Sequence, residues 1–505
     1  MSGIQRRSLL GLGALATAGL AVGLGGCSSD DGRRASSGGR LRAAFAGGGS
    51  RETLNYLVGP TALDYVRARL VHGALGAIDA AAPDGVRYGV LEAIEVSDDL
   101  STYTLHIRPD VAFTDGSTLT ASDVLYSLRA PKLLNGLPFT QILTRNFDLD
   151  HARTEGSRTV VLPTARPIAD GRLLMCQSML AIKEGTTTFT ADTPSCGPFT
   201  IGAFRPGQGT SLARNPTYFG PAIGETVTLD NIELLSIPDG QARVNALRGG
   251  QADFVSTIDP LTARTLAGDG RIAVTTSRPP FVSCLQFTMN PAFPPFADAR
   301  VRRAFRLAVN RQAIVDSVYF GRALVGNDVP GLGFPTYHTG LAQRAYDPDE
   351  ARSLLAAAGH GNLSVALTAG PELPGMVQTA TLIVENLRAV GVNATLNELP
   401  PGQLFADYAA YTKLPFAAGY SPPALFEPNH VPGRFPQVDA LVETARSARS
   451  AQERLAASHE AQRLLWEEGH QIVPVFVPTT DVQTRAVAGV RSLQFPDLST
   501  ATLAG

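Results

Sequence analysis

Lysine is nearly absent from this chain. Lys132, Lys183 and Lys413 stand against forty arginines in 505 residues, a skew that reads as GC-rich codon usage rather than as arginine chemistry. Charge is scarce as well: 17% of residues are charged, 44% are apolar, and the formal net charge is −2. A chain this apolar and this weakly charged is not a disordered acidic or basic polymer. Without a basic excess it has no means of holding a phosphate backbone, so nucleic acid is excluded as the main partner. Catalytic signatures are missing too. There is no G-x-S-x-G elbow, His459-Glu460 does not extend to H-E-x-x-H, and Gly47–Gly49 lacks the phosphate-loop pattern. Ser195-Cys196-Gly197, between Pro194 and Pro198, reads as a turn without a base beside it. Acid pairs such as Asp98-Asp99 and Glu467-Glu468 are sequence neighbours whose side chains diverge. The expectation is a protein that is not an enzyme, with no cofactor and no metal site.

Long apolar runs occur only at the start. Residues 1–27 (MSGIQRRSLLGLGALATAGLAVGLGGC) place Arg6-Arg7 before a stretch rich in Gly, Ala and Leu, as an export signal does. The paired arginines resemble a twin-arginine signal. Leu24-Gly25-Gly26-Cys27 resembles a bacterial lipobox, where the chain is cut before a cysteine that carries lipid. Residues 28–40 are Ser, Gly and charge, a flexible tether spanning roughly 20 Å. No second apolar run of about 18 residues follows, so the rest reads as a soluble body near a membrane. Three cysteines remain beyond Cys27. Cys176 and Cys196 are spaced to close a disulfide loop with Cys284 left over, or all three stay as buried thiols; both readings stand at this point.

What the chain does have is alternation of strand-like and helix-like segments over a length that suggests two to four domains. Residues 100–113 alternate, with Tyr103, Leu105 and Ile107 on one face. Thr120-Ala-Ser-Asp123 is a capping box opening a helix. Asp347-Pro348-Asp349-Glu350 starts another helix, with an N-cap, a proline in the first turn and acids at the positive end of the dipole. Strand 363–368, helix 377–390 and strand 392–399 form a βαβ unit. Residues 437–468 read as helical, with Trp466 on the core side, and 281–289 and 471–477 read as buried strands. No internal repeat is present. The mixture indicates α/β lobes.

Five stretches carry a family likeness. Residues 92–129 hold Val96-Ser97-Asp98, Tyr103-Thr104, Arg108, Phe113, Asp115-Gly116 and Thr120-Ala121-Ser122-Asp123-Val124. The others are Cys196-Gly197-Pro198-Phe199, Arg214-Asn215-Pro216-Thr217-Tyr218-Phe219, Asp298–Phe305 with Ala308-Val309-Asn310-Arg311, and Tyr346–Ala351 with Leu354-Leu355. Together they resemble the extracellular solute-binding proteins of the dipeptide/oligopeptide/nickel ABC-transporter group (solute-binding family 5). Ile94 stands where many relatives have tryptophan.

The resemblance implies an α/β, two-lobed clamp of the type II periplasmic-binding kind with mixed sheets and an extra small domain. Lobe I would hold 41–280 plus 481–505, with the small domain inserted at about 76–194, and lobe II would hold 281–480. The 281–289 and 471–477 runs would cross between the lobes. The implied partners are a small-molecule or oligopeptide ligand, the permease subunits of an ABC importer, and the membrane through the lipid on Cys27, with the protein a monomer exported to the outer face of the cytoplasmic membrane or the periplasm. Asn55, Tyr56, Phe287, Asn290, Tyr420 and Phe426 are the implied ligand-lining residues, and each also fits core packing. In peptide-binding relatives an aspartate in a W-x-x-D-x-x-D-P-like stretch pairs with the peptide's ammonium. The matching region here, 416–428, has no acid before Glu427-Pro428. Peptide is therefore the family default, with an oligosaccharide, a metal chelate or a specialised metabolite as alternatives. A tethered hydrolase and a signal or peptide-chaperone receptor are the competing functions.

Overall fold

The computed structural model describes residues 35–36, 38–59, 61–79, 81–82, 85–137, 141–421 and 434–504. Cys27 and Phe426 lie outside the described residues, as does Glu427-Pro428. The alternating segment forms strand Thr102–Ile107, with Tyr103, Leu105 and Ile107 buried. It pairs antiparallel with Leu91–Val96 and with Thr159–Pro163, which pairs in turn with Arg153–Glu155, giving a four-stranded sheet. Helix Ala121–Leu133 covers it. The Asp123 carboxylate accepts from the backbone N–H and the hydroxyl of Thr120, both at 2.8 Å, which occupies donors that a helix start leaves unpaired.

A seven-stranded sheet runs Ile272–Thr276, Thr480–Thr484, Phe254–Val255, Arg40–Phe45, Asn231–Ser236, Gly209–Arg214, Phe199–Arg205. Strand Arg40–Phe45 lies parallel to both of its neighbours. Its side chains alternate between two cores. Leu41, Ala43 and Phe45 meet Leu63, Val66 and Leu70 of helix Ala62–Val71, while Ala44 meets Val244, Leu247 and Leu266 on the other side.

A six-stranded sheet runs Leu324–Val325, Gln471–Pro478, Val282–Met289, Phe416–Ser421, Ser364–Ala369, Asn393–Glu398. Ser364–Ala369 and Asn393–Glu398 are parallel and joined through helix Met376–Ala389, the βαβ unit legible in the sequence. Gly359 and Gly391 follow the helices on either side of the 364–369 strand at φ of 78° and 92°, a conformation that favours glycine at a helix end. The 437–468 stretch is two helices rather than one, Pro436–Ser447 and Ala451–Glu468. Ser450 interrupts it: its side-chain oxygen accepts from the Glu453 N–H at 3.1 Å and starts the second helix anew.

The chain passes between these two sheets twice, and both crossings are short. Residues 277–281 lead from strand Ile272–Thr276 to Val282–Met289, and Thr479 alone separates Gln471–Pro478 from Thr480–Thr484. The crossings are tied to each other: Ser277 N–H donates to the Thr479 carbonyl, and Thr479 N–H donates to Ser277 Oγ, both at 2.9 Å. The apolar runs 281–289 and 471–477 thus belong to the six-stranded sheet, and the crossings sit at their ends.

Arginine does work here that lysine would not. Arg302 and Arg306 project from helix Ala299–Ala308 and are buried. They donate to the last carbonyls of helix Ala451–Glu468: Arg302 to Glu468 at 2.7 Å, Arg306 to Trp466 at 2.7 Å and to Glu467 at 2.8 Å. Planar guanidinium forks thereby satisfy a helix C-terminus and its negative dipole end. The arginine excess is chemistry at these positions, whatever the codon bias that supplies it.

Cys176, Cys196 and Cys284 are separate buried thiols, so the Cys176–Cys196 disulfide is not formed. The two sulfurs occupy different slots of one apolar core, each over a glycine. A Cβ on Gly73 would stand 2.7 Å from the Cys196 sulfur, and one on Gly76 would stand 2.6 Å from that of Cys176. Burial pushes both thiols up to about 12, which keeps them protonated and unreactive.

Candidate functional site

Beside the crossings the two sheets face a shared cavity that opens to solvent. Thr257, Ile258 and Pro260 line it from the side of the seven-stranded sheet. Tyr319, Leu373 and Pro374 line it from the other side. Its floor is the second crossing, Pro478, Thr479 and Thr480. Thr257 holds the left-handed conformation at φ 54°, and its N–H donates at 3.0 Å to Oδ1 of Asp481. Ser256 Oγ donates to the same oxygen at 2.9 Å. Asp481 is fully buried with Oδ2 unpaired among the described residues. Burial pushes its carboxyl up to about 6 against the pull of those two donors.

A second meeting of the two halves is polar. The loop after strand Thr159–Pro163 reaches helices Pro436–Ser447 and Ala451–Glu468. Arg166 pairs with Glu443 at 3.0 Å, and Asp170 pairs with Arg454. Ala169 N–H donates to the Arg446 carbonyl at 2.9 Å, and Arg446 Nη1 donates to Asn146 Oδ1 at 2.9 Å. On the flank nearer the crossings, Arg264 stacks over Phe320, 4.8 Å from the ring centroid.

The residues singled out from the sequence stand elsewhere. Tyr56 is buried against Tyr65, His72 and Phe189. Asn55 is half-buried and caps its own turn, with Oδ1 accepting from Leu57 N–H at 3.1 Å. Phe287 is fully buried in the core of the six-stranded sheet. Asn290 accepts from Ala292 N–H at 3.0 Å and donates to the Thr412 carbonyl at 3.3 Å. Tyr420 is half-buried, with its ring 5.9 Å from that of Phe405. None of these five lines the cavity by the crossings. The first two lie in one half of the molecule and the other three in the second. Trp466 is partly buried and donates to Asn327 Oδ1 at 3.1 Å. Among the described residues no group of three or more His, Cys, Asp or Glu is arranged to hold a metal, and no helix is long and apolar enough to cross a membrane.

The family description "Bacterial extracellular solute-binding proteins, family 5 Middle" matches residues 85–434. This chain belongs to that family. Among curated relatives, the "Probable di/tripeptide-binding protein 5" of Pseudomonas aeruginosa is 23% identical over 442 residues, covering 78% of this chain and 82% of the relative. The "Glutathione-binding protein GsiB" of Salmonella typhimurium is 24% identical over 438 residues, covering 80% and 83%. Among solved structures, NikA from Brucella suis in complex with Fe(III)-EDTA superposes with a TM-score of 0.78 at 19% identity, covering 92% of this chain and all of NikA. The fold is that of the family 5 periplasmic binding proteins, mixed α/β with several mixed sheets, as the motifs implied.

Sequence reasoning missed the groups that meet at the junctions. Arg166, Asp170, Arg446 and Arg454 look like ordinary surface charges on their own segments. Asp481 had one visible signal, an acid directly after an apolar strand and a Thr-Thr pair.

Proposed function

We propose that this family 5 protein is a membrane-tethered extracytoplasmic receptor, and not an enzyme. It encloses a peptide or peptide-like solute between two lobes and presents the closed form to the permease of an ABC importer. Lobe I comprises 41–280 and 481–505, with the four-stranded sheet inside the insertion at about 76–194, and lobe II comprises 281–480. The observation that carries this reading is the pair of adjacent crossings. Each large sheet draws all its strands from one side of them. Two short, mutually hydrogen-bonded segments let two rigid bodies rotate while absorbing the change in few dihedrals, the geometry of hinge closure. The solute favours the closed form through contacts made only there. The polar bridge of Arg166, Asp170, Arg446 and Arg454 is the contact set made on closing.

Peptide as the solute class rests on the printed names of the relatives, which bind di/tripeptides and glutathione. Small-angle scattering tests the reading. A tripeptide library is expected to reduce the radius of gyration and to change the emission of the lone Trp466, which lies in lobe II. An unchanged radius with tripeptides, oligosaccharides and metal chelates alike would sink it. The tether rests on the lipobox-like Leu24–Cys27. Cys27→Ala is expected to release the protein from the membrane fraction, and acylated protein persisting there would refute the assignment.

A further inference from the structure

Asp481 lies two residues beyond Thr479, in strand Thr480–Thr484, and its Oδ1 holds Ser256 and Thr257 against that strand. Thr257 is itself part of the cavity wall and keeps its left-handed φ of 54° there. Ile258 N–H donates to the Thr480 carbonyl at 3.0 Å, so the wall and the second crossing form one hydrogen-bonded unit. Directly opposite Asp481 in the ladder stands Thr275, two residues before Ser277 and the first crossing. Thr275 Oγ1 and Asp481 Oδ2 are both buried, and neither has a partner among the described residues. The acid thus sits beside both crossings, with polar capacity left over on each strand.

No cation among the described residues compensates it. On its face of the sheet, Glu52 and Asp64 pair with Arg67, and Glu225 and Asp497 pair with Arg491. On the other face Asp259 caps its own helix and Arg264 covers Phe320. Arg243 donates to the Ile237, Pro238 and Thr257 carbonyls. Across the cavity stand Arg322 on the wall and Glu372 beside Leu373, and neither bears on the Asp481 carboxyl. Only a hydroxyl and one N–H oppose burial there.

A charged carboxylate needs donors on both oxygens, and a sealed site denies them. In the hinge reading the polar bridge is formed, so the sealed site belongs to the closed form. Rotation at the crossings parts Thr257 and Thr480 from Tyr319, Leu373 and Pro374 and brings water toward Oδ2. The charged acid therefore favours the open form, and the protonated acid favours the closed one. Sealed, the carboxyl stands at about 6; in water it stands at its ordinary 3.8. The closed form's advantage is complete below 3.8 and is lost as pH rises through 6.

We propose that Asp481 couples a proton to solute capture: its protonation at the crossing closes the clamp, and its ionisation opens it. This rests on the hinge reading above and adds a regulatory input to it. The test uses tripeptides of Gly, Ala, Leu and Phe, whose termini stay charged between about pH 4.5 and 7. Calorimetry of the wild type is expected to show roughly tenfold tighter binding at pH 4.5 than at pH 7. Asp481→Asn keeps the acceptor for Ser256 and Thr257 without the charge, and is expected to hold the acid-side affinity at both values. Small-angle scattering without ligand gives an independent readout. The wild-type radius of gyration is expected to grow from pH 4.5 to 7, and that of Asp481→Asn to stay constant. Equal wild-type affinity at the two pH values overturns the inference and leaves the receptor reading standing. A pH dependence that survives in Asp481→Asn belongs to another group and overturns it as well. Wild type binding no tripeptide at either pH removes the peptide reading, and the ligand-free radius still decides the inference.

Discussion

Two buried aspartates in this molecule have the same side chain and nearly the same burial, yet their charges stand in opposite situations. Asp328 lies in the half built on the six-stranded sheet. Arg311 donates to both of its oxygens at 2.6 and 2.8 Å, Arg344 donates to Oδ2, and Val473 N–H donates to Oδ1 at 3.0 Å. Burial by itself would raise its carboxyl. Arg311, Arg344 and Arg306 together outweigh that and hold it below the usual carboxylate range. Asp481 lies at the second crossing. It has a hydroxyl and one backbone N–H for partners, and burial wins. Desolvation is similar at the two sites, so the guanidinium groups decide the sign. Charge is neutralised inside the half built on the six-stranded sheet, and left poorly compensated where the two sheets are joined.

The sharpest way to break this comparison is Asp328→Asn. It leaves Arg311 and Arg344 buried without their counter-charge, and a loss of about 3–5 kcal/mol in unfolding free energy is expected in denaturant titrations. A loss below 1 kcal/mol would mean the arginines find other partners. Asp481→Asn should act in the opposite direction. Its folded value of about 6 lies above the unfolded value of 3.8, so the native state binds the extra proton between those limits. Stability from this group is therefore fully present below pH 3.8 and is lost as pH rises through 6. At pH 7.5 the variant is expected to be more stable by up to about 3 kcal/mol, with a flatter pH profile between 4 and 7. Equal slopes for variant and wild type would show that Asp481 does not titrate there.

Smaller effects are expected at the polar bridge. Arg454→Ala removes a partly buried partner of Asp170 and is expected to cost about 1 kcal/mol. The readouts are a smaller solute-induced drop in scattering radius and a several-fold weaker solute affinity. An undiminished drop would show that the bridge does not hold the closed form. The smallest effect belongs to the exposed pair Arg153–Glu155, at 59% and 55% side-chain exposure. Glu155→Gln is expected to leave the melting temperature within measurement error, because water already screens both charges.

Local physics made much of the fold legible. The capping box at Thr120 and Asp123, the Asp347-Pro348 helix start and the alternation through Tyr103, Leu105 and Ile107 all work within a few residues, and the structure forms each of them as read. The βαβ unit at 364–398 follows from periodicity and glycine stops in the same way. Ser450 shows the limit even locally, since a capping serine divides what periodicity joins. The candidate site was far less legible. Tyr56 and Phe287 are aromatic whether they face a ligand or a core, and the core claims both. Arg454 meets Asp170 across 284 residues of chain, and Asp481 meets Ser256 across 225. Sequence alone determined the segments, their caps and the family they compose, because those depend on neighbours along the chain. Tertiary structure decided which charges are paired, which acids are left without a cation and where the two sheets touch. Electrostatic energy depends on distance in space and on exclusion of water, and neither is a property of sequence separation.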